Sequence, residues 1–275
     1  MNAAAAPPPP ELETIRIDVD GEIGTLTLDR PKVLNAMSPE LIGELVTAAA
    51  WLADRARLRA LIVTGAGRAF SAGGDVTWFK RGLEESGEYL SAEVRRGAEV
   101  LHQAIVDFRR IPYTVIGAVN GVAAGAGFSL ALMCDIRIAS EDAAFICAYG
   151  RIGASPDGGM TYFLPRVVGP ARALEMLLND PLLSAAQARD EGIVSEVVAP
   201  DRLLEVARER AAELASRAPH YVRMSKFLVS SSLENSLPDH LQLERHGIAD
   251  SMATEDLRQG VTAFLDGREA KFSGR

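Results

Sequence analysis

The chain has little of what most readily declares a function. Among its 275 residues there are two cysteines, Cys134 and Cys147. They lie in apolar surroundings without metal-ligand spacing, which reads as buried, reduced thiols in a cytosolic protein, and no metal site is expected. There is no surplus of positive charge. Lys and Arg number 29 against 37 Asp and Glu, a formal charge of −8. A sequence-independent nucleic-acid binder would need a basic patch, so the balance argues against this class. An anionic small ligand is not, because a few local Arg and Lys residues suffice for it. No apolar run reaches the length of a membrane-spanning helix. The N-terminal MNAAAAPPPPELET lacks a basic segment followed by an apolar one, so it is not a secretory signal. A soluble, cytoplasmic protein is the expectation. Fixed-period repeats are absent as well.

What is there suits one large domain, or a core with an appended helical piece. Four prolines at 7–10 predict a short extended, flexible tail over 1–14. IRIDVDGEIGTLTLDRP alternates apolar and polar residues around Asp20 and Gly21, the pattern of a β-hairpin. Ser38, Pro39 and Glu40 then open a helix whose apolar residues recur at helical spacing. LRALIVTGAG and YTVIGAVNG read as short buried strands, and FSLALMCDIRIASEDAAFICA as a short helix followed by further strand. This alternation predicts an α/β domain with a largely parallel sheet. Beyond Ala171 the pattern is mostly helical. The boundary between a sheet-rich core over 15–200 and a helical region over 201–275 is placed near Pro200.

Two loops share an unusual composition, GRAFSAGGD (67–75) and NGVAAGAGF (120–128). Each follows a buried strand and has small residues where backbone approaches something closely. Tight packing and turns would account for either loop alone. Neither supplies G-x-G-x-x-G after the first strand, and GAGRAFSAG lacks the Walker lysine, so dinucleotide and P-loop readings fail. Exposed backbone N–H groups near a helix N-terminus remain, and such groups suit an anion or a developing oxyanion.

RPKVLNAM, AFSAGGD, AVNGVAAGAGFSLALMCDIRIAS and GVTAFLDGREAKF, in this order over about residues 15–272, together resemble the crotonase (enoyl-CoA hydratase/isomerase) superfamily. The resemblance implies an α/β, ClpP/crotonase-like fold of repeated ββα units in two nearly perpendicular sheets. It implies a C-terminal helical trimerisation region and a homotrimer or hexamer. It also implies an acyl-CoA thioester as substrate, with no further cofactor and neither nucleic acid nor membrane as partner. By the same resemblance the backbone amides of Gly74 and Ala126 form an oxyanion hole. Ala126 stands where a glycine is common, and still supplies its N–H. Arg30, Lys32 and Arg68 fall in or beside segments that line the CoA nucleotide; each could equally be a surface charge. Ala72, Asp75, Trp78 and Tyr149 are further candidates for contact with substrate. Trp78 and Phe79 either wall the acyl pocket or simply pack their helix.

The acid/base residues decide the reaction. Hydratases of this family use two glutamates, and the matching positions here are Ser129 and Tyr149. Concerted addition of water needs such a pair, and serine and tyrosine cannot simply replace it. One carboxylate stands nearby, Asp157 in GRIGASPDGGMTYFLPR (150–166). As residues alone, Pro-Asp-Gly is turn chemistry, and Asp157 could be a turn residue or a helix N-cap. By resemblance, it coincides with the aspartate of single-acid isomerases in the family, of the 1,2-epoxyphenylacetyl-CoA isomerase type. An enoyl-CoA double-bond isomerase is therefore the preferred expectation. The alternatives are a 4-chlorobenzoyl-CoA-type dehalogenase, in which Asp157 would be the nucleophile and His102 would activate water, and an enoyl-CoA hydratase. His102 could also be a filler on an amphipathic helix. A catalytically silent CoA-binding protein is the non-enzymatic alternative. RNA binding is disfavoured, because the helix PELIGELVTAAAWLADRARLRA contains no lysine.

Overall fold

A computed structural model of the chain describes residues 8–55, 57–85 and 87–275. Of the tail expected over 1–14, residues 1–7 lie outside the described set. Beyond them the chain runs along the first helix. The Trp51 indole donates to Pro8 O at 2.9 Å, and the Glu13 and Thr14 amides each donate to the Glu44 carboxylate at 2.8 Å.

The hairpin forms from β1 (Ile15–Asp20) and β2 (Ile23–Leu28), with Ile15 opposite Leu28 and Asp20 opposite Ile23. That register makes Gly21 and Glu22 the two-residue loop, one position later than the sequence pattern suggested. Gly21 has φ +59°, the conformation tight hairpin turns require. α1 (Pro39–Ala53) starts as expected, with the Ser38 hydroxyl accepting from Leu41 N.

Three successive units then give one strand to each of two sheets. The first is β3 (Ala60–Gly65) and β4 (Ala69–Ser71), followed by α2 (Val76–Glu85) and α3 (Leu90–Arg110). The second is β5 (Thr114–Val119) and β6 (Val122–Ala124), followed by α4 (Ala126–Met133). The third is β7 (Ile136–Ser140) and β8 (Ala144–Ile146), followed by a 3-10 turn (Tyr149–Ile152), α5 (Met160–Val168) and α6 (Pro170–Asn179). β9 (Leu183–Ser184), α7 (Ala185–Asp190) and β10 (Glu196–Val198) follow. The chain ends in α8 (Leu203–Ala215), α9 (Pro219–Ser231), α10 (Leu237–Met252) and α11 (Glu255–Leu265).

The larger sheet runs β1-β2-β3-β5-β7-β10 and the smaller β4-β6-β8-β9. From β2 to β10 the larger sheet is parallel, and both its faces are covered, so its central strands are almost continuously apolar. Strand alternation divides those side chains between the faces. Leu61, Val63, Val115 and Val119 join the main core with α1, α3 and α4. Ala60, Ile62, Ile116 and Ala118 face the other way, against Leu203, Ala207, Ala211 and Ala215 of α8. α8 lies past the boundary placed near Pro200, and it closes this second face. α9 is fastened by Lys226, whose ammonium pairs with Asp135 at 2.7 Å and donates to Ile111 O and Tyr113 O. Both cysteines are buried, as free thiols. Their seclusion from water pushes both thiols up to about 12. Among the described residues, no helix is long and apolar enough to cross a membrane.

Candidate active site

The two glycine-rich loops are neighbours because β4 and β6 are paired strands of the smaller sheet. The first leaves β4 and the second leads from β6 into α4. They touch where neither has room for a side chain. A Cβ on Gly73, at φ +86°, would lie 2.6 Å from Ala124 O and 3.3 Å from Ala126 N. One on Gly127 would meet Ser71 O at 2.4 Å. The loop bearing Gly74 is held from its other side by a parallel bridge, in which Met37 N donates to Gly73 O and Asp75 N to Met37 O. This pairing uses the Gly73 carbonyl and the Asp75 amide and leaves the N–H of Gly74 without a backbone acceptor among the described residues. Ala126 is the first residue of α4, so its N–H has no partner within the helix, and Gly125 offers no capping side chain. Among the described residues two amides therefore stand without a backbone acceptor on adjacent loops, one of them at a helix N-terminus, where the dipole favours negative charge.

The small residues of these loops are positioned by polar side chains, Asn35 and Ser71 buried and Asn120 half-buried, that the sequence reading did not single out. Asn35, fully buried, donates to Ala66 O and Ala69 O at 2.9 and 2.8 Å. Asn120 donates to Gly67 O and accepts from Gly65 N. The Ser71 hydroxyl donates to Asn35 O and accepts from Gly73 N. A buried asparagine beside turn-forming backbone was the available signal, since such a group must find partners.

Several expected contact residues have partners inside the protein. Arg30 meets Asp75 at 3.3 Å and also donates to Ala36 O. Asp75 in turn accepts from Thr77 N and Trp78 N, which starts α2. Ala72 donates its amide to Leu34 O. Trp78 and Phe79 are half-buried and meet edge to face at 5.4 Å, and the Phe79 ring covers Gly74. Lys32 and Arg68 are exposed.

Asp157 is half-buried, and its side chain does not cap a helix. α5 starts at Met160 with Gly159 at its N-cap; only the Asp157 backbone carbonyl serves it, accepting from Met160 N at 3.0 Å. The turn is real, with Gly158 and Gly159 at φ +59° and +82°. Its effect is to send the carboxylate inward. Oδ1 accepts from the Tyr149 hydroxyl at 2.8 Å. That hydroxyl also lies 3.2 Å from Ser129 Oγ, and Ser129 Oγ donates to Asp157 O at 3.0 Å. Burial, and secondly the adjoining carboxylate, hold the Tyr149 phenol well above the ordinary tyrosine range, so it remains a donor. Ser129 and Tyr149 therefore converge with Asp157. Ser129 lies one turn along α4 from Ala126, and the Tyr149 ring abuts Gly125, which itself abuts Gly73. A short chain of contacts links the carboxylate to the unpaired amides.

His102 lies on α3 with an exposed side chain, and its Nε2 accepts from Gly158 N at 3.2 Å. It also borders a cavity of about 1170 Å³ between α3, α5 and α9, whose apolar wall includes Ile105, Phe163 and Phe227. Gly159, two residues past Asp157, lines the same cavity. Among the described residues no three His, Cys, Asp or Glu side chains converge to hold a metal ion.

Strands dealt alternately to two parallel-rich sheets, with unpaired loop amides at their junction, define the crotonase fold. The family model described as enoyl-CoA hydratase/isomerase matches residues 18–275. A Rhizobium meliloti protein named a probable enoyl-CoA hydratase is 40% identical over 264 residues, covering 96% of this chain and 99% of its own. The 1,2-epoxyphenylacetyl-CoA isomerase of Escherichia coli is 36% identical over 265 residues, covering 96% of this chain and 100% of its own. The crystal structure of an enoyl-CoA hydratase from Bacillus anthracis superposes with a TM-score of 0.88 at 31% identity, covering 96% of this chain and all of that one. The chain belongs to the enoyl-CoA hydratase/isomerase family.

Proposed function

We propose that the protein is an enoyl-CoA isomerase that moves a double bond from C3 to C2 of an acyl-CoA thioester. Asp157 is its single acid/base, and the Gly74 and Ala126 amides stabilise the dienolate oxygen. The observation that carries this reading is the convergence of Ser129, Tyr149 and Asp157, in which Asp157 supplies the carboxylate. Hydration would need two groups, one to deprotonate water and one to protonate carbon. A 1,3-proton shift needs only one carboxylate on the correct face.

Other features support the same reading. The cavity beside His102 and Gly159 offers apolar walls to an acyl chain. Lys32 and Arg68 have no ion-pair partner among the described residues, and their exposure leaves them free for CoA phosphates. Arg30 and Asp75 are better read as a pair that holds the Gly74 loop. The dehalogenase alternative asks His102 to activate water, yet the Nε2 lone pair already accepts from Gly158 N. Hydratase is the more frequent name among the relatives, so the assay must separate the two activities directly.

The test compares a 3-enoyl-CoA, followed by the ultraviolet absorbance of the conjugated product, with hydration of crotonyl-CoA. Isomerisation is expected in the usual enzyme range of about 1–10³ s⁻¹, with hydration far slower. Crotonyl-CoA hydration within that range, without isomerisation, would overturn the assignment.

We also propose that the chain self-associates as a trimer or hexamer. Phe264, Leu265 and Val229 are 84%, 77% and 74% exposed on the C-terminal helices, more apolar surface than a monomer favours. Light scattering at micromolar concentration should give three or six times 29.4 kDa. A monomer mass would contradict it.

A further inference from the structure

Tyr149 and Ser129 stand where the family's hydratases carry glutamates, and a loss of chemistry would leave such positions indifferent. They are not indifferent here. The Tyr149 hydroxyl makes its shortest hydrogen bond to Asp157 Oδ1, at 2.8 Å, against 3.2 Å to Asp157 O. Ser129 holds that hydroxyl from the α4 side at 3.2 Å. Asp157 Oδ2 has no hydrogen-bond partner among the described residues. The backbone is fixed at the same place, because Asp157 O accepts from Ser129 Oγ, Tyr149 OH and Met160 N. The following amide, Gly158 N, is held by His102 Nε2.

We propose that Tyr149 is the positioning residue of the acid/base, holding Asp157 Oδ1 so that Oδ2 alone carries the proton in both directions. This inference rests on the isomerase reading and names how the carboxylate is kept on one face of the substrate. In the first step Oδ2 takes the proton from C2. The C–H electron pair becomes the new C1–C2 π bond, and negative charge moves to the thioester oxygen beside the Gly74 and Ala126 amides. In the second step the oxygen's electrons return and re-form C=O, while the C1–C2 pair becomes the C2=C3 bond. The former C3–C4 π pair takes the proton from Oδ2 at C4. Atoms and electrons balance without an oxidant or a second acid.

A carboxylate tied at one oxygen cannot swing its other oxygen freely between substrate and solvent. A proton taken from C2 is therefore returned in part to C4 of the same molecule. With a 3-enoyl-CoA deuterated at C2, the unmodified protein should carry a measurable share of the label into C4 of the product. Tyr149→Phe keeps the ring beside Gly125 and removes the hydroxyl. It should lower kcat by up to about 10²-fold, the scale of a misplaced reacting group, with KM within about twofold. The label carried to C4 should fall with it. In an Asp157→Asn background, the same change should take nothing further from the residual rate, because Tyr149 acts through Asp157.

Complete loss of label to solvent in the unmodified protein would overturn the single-oxygen shuttle, whatever the variant does. So would a Tyr149→Phe protein with unchanged kcat and label transfer, or a further loss in the Asp157→Asn background. If Asp157→Asn itself keeps the full rate, the isomerase reading fails first. If it loses the rate while Tyr149→Phe does not, only the present inference fails.

Discussion

Asp157→Asn is expected to lower isomerisation of a 3-enoyl-CoA by about 10²–10⁴-fold, the usual cost of removing a general base. The substitution preserves shape and most of the bonding. The backbone carbonyl of residue 157 still accepts from Ser129, Tyr149 and Met160, and an asparagine Oδ1 still accepts from the Tyr149 hydroxyl. What is lost is an oxygen able to take a proton from carbon. Because Asp157 does not cap α5, the change should leave that helix, and the melting temperature, nearly as they were. CoA affinity should also be unchanged, since Lys32, Arg68 and the amide-bearing loops are untouched. The measurements are kcat on a 3-enoyl-CoA, product dissociation by calorimetry, and a thermal scan. Retention of full activity on every thioester tried would make Asp157 a turn residue and remove the proposed mechanism.

The same aspartate shows how far the sequence could be read. Local pattern was enough for the elements that bury one face or start with a capping residue. The β1–β2 hairpin, the Ser38-capped α1 and the strands β3 and β5 all follow from periodicity and turn chemistry. Pattern was not enough for the direction of the Asp157 side chain. Pro-Asp-Gly-Gly predicts a turn wherever it occurs, and two glycines at positive φ confirm one here. Whether the carboxylate then caps α5 or turns inward depends on Tyr149, which bonds the carboxylate, and on Ser129 and His102, which hold the backbone at Asp157 O and Gly158 N, all three from other elements. Those meetings are set by sheet topology, which no local spacing encodes. The same holds for Arg30 and Asp75, 45 residues apart in the chain yet joined by an ion pair. Small residues in the two loops did announce a close approach. The partner of that approach turned out to be the other loop.

The expected loss in Gly73→Ala follows from that loop-on-loop contact, and it should be nearly as large as that of the missing base. Two penalties arise at once. Residue 73 has φ +86°, which a side chain rarely tolerates, and the new Cβ would lie 2.6 Å from Ala124 O and 3.3 Å from Ala126 N. Neither neighbour is a flexible side-chain end. Both are backbone of the segment that enters α4, so relief requires the two loops to separate. Separation moves the Gly74 amide relative to the Ala126 amide, and an oxyanion donor that no longer points at the thioester oxygen costs about 10²–10³ in rate. The strain alone must be told apart from this displacement. Gly153 provides the comparison, because it has φ +69° but nothing within 4 Å of a Cβ placed there. Gly153→Ala should lose stability, on the order of 1–3 kcal/mol for an unfavourable backbone region, and keep its kcat. Gly73→Ala should lose stability and kcat together, with product CoA thioester still bound through contacts remote from the amides. Equal kcat in the two variants would mean that the amide pair is not held by this contact, and that the oxyanion hole is formed some other way.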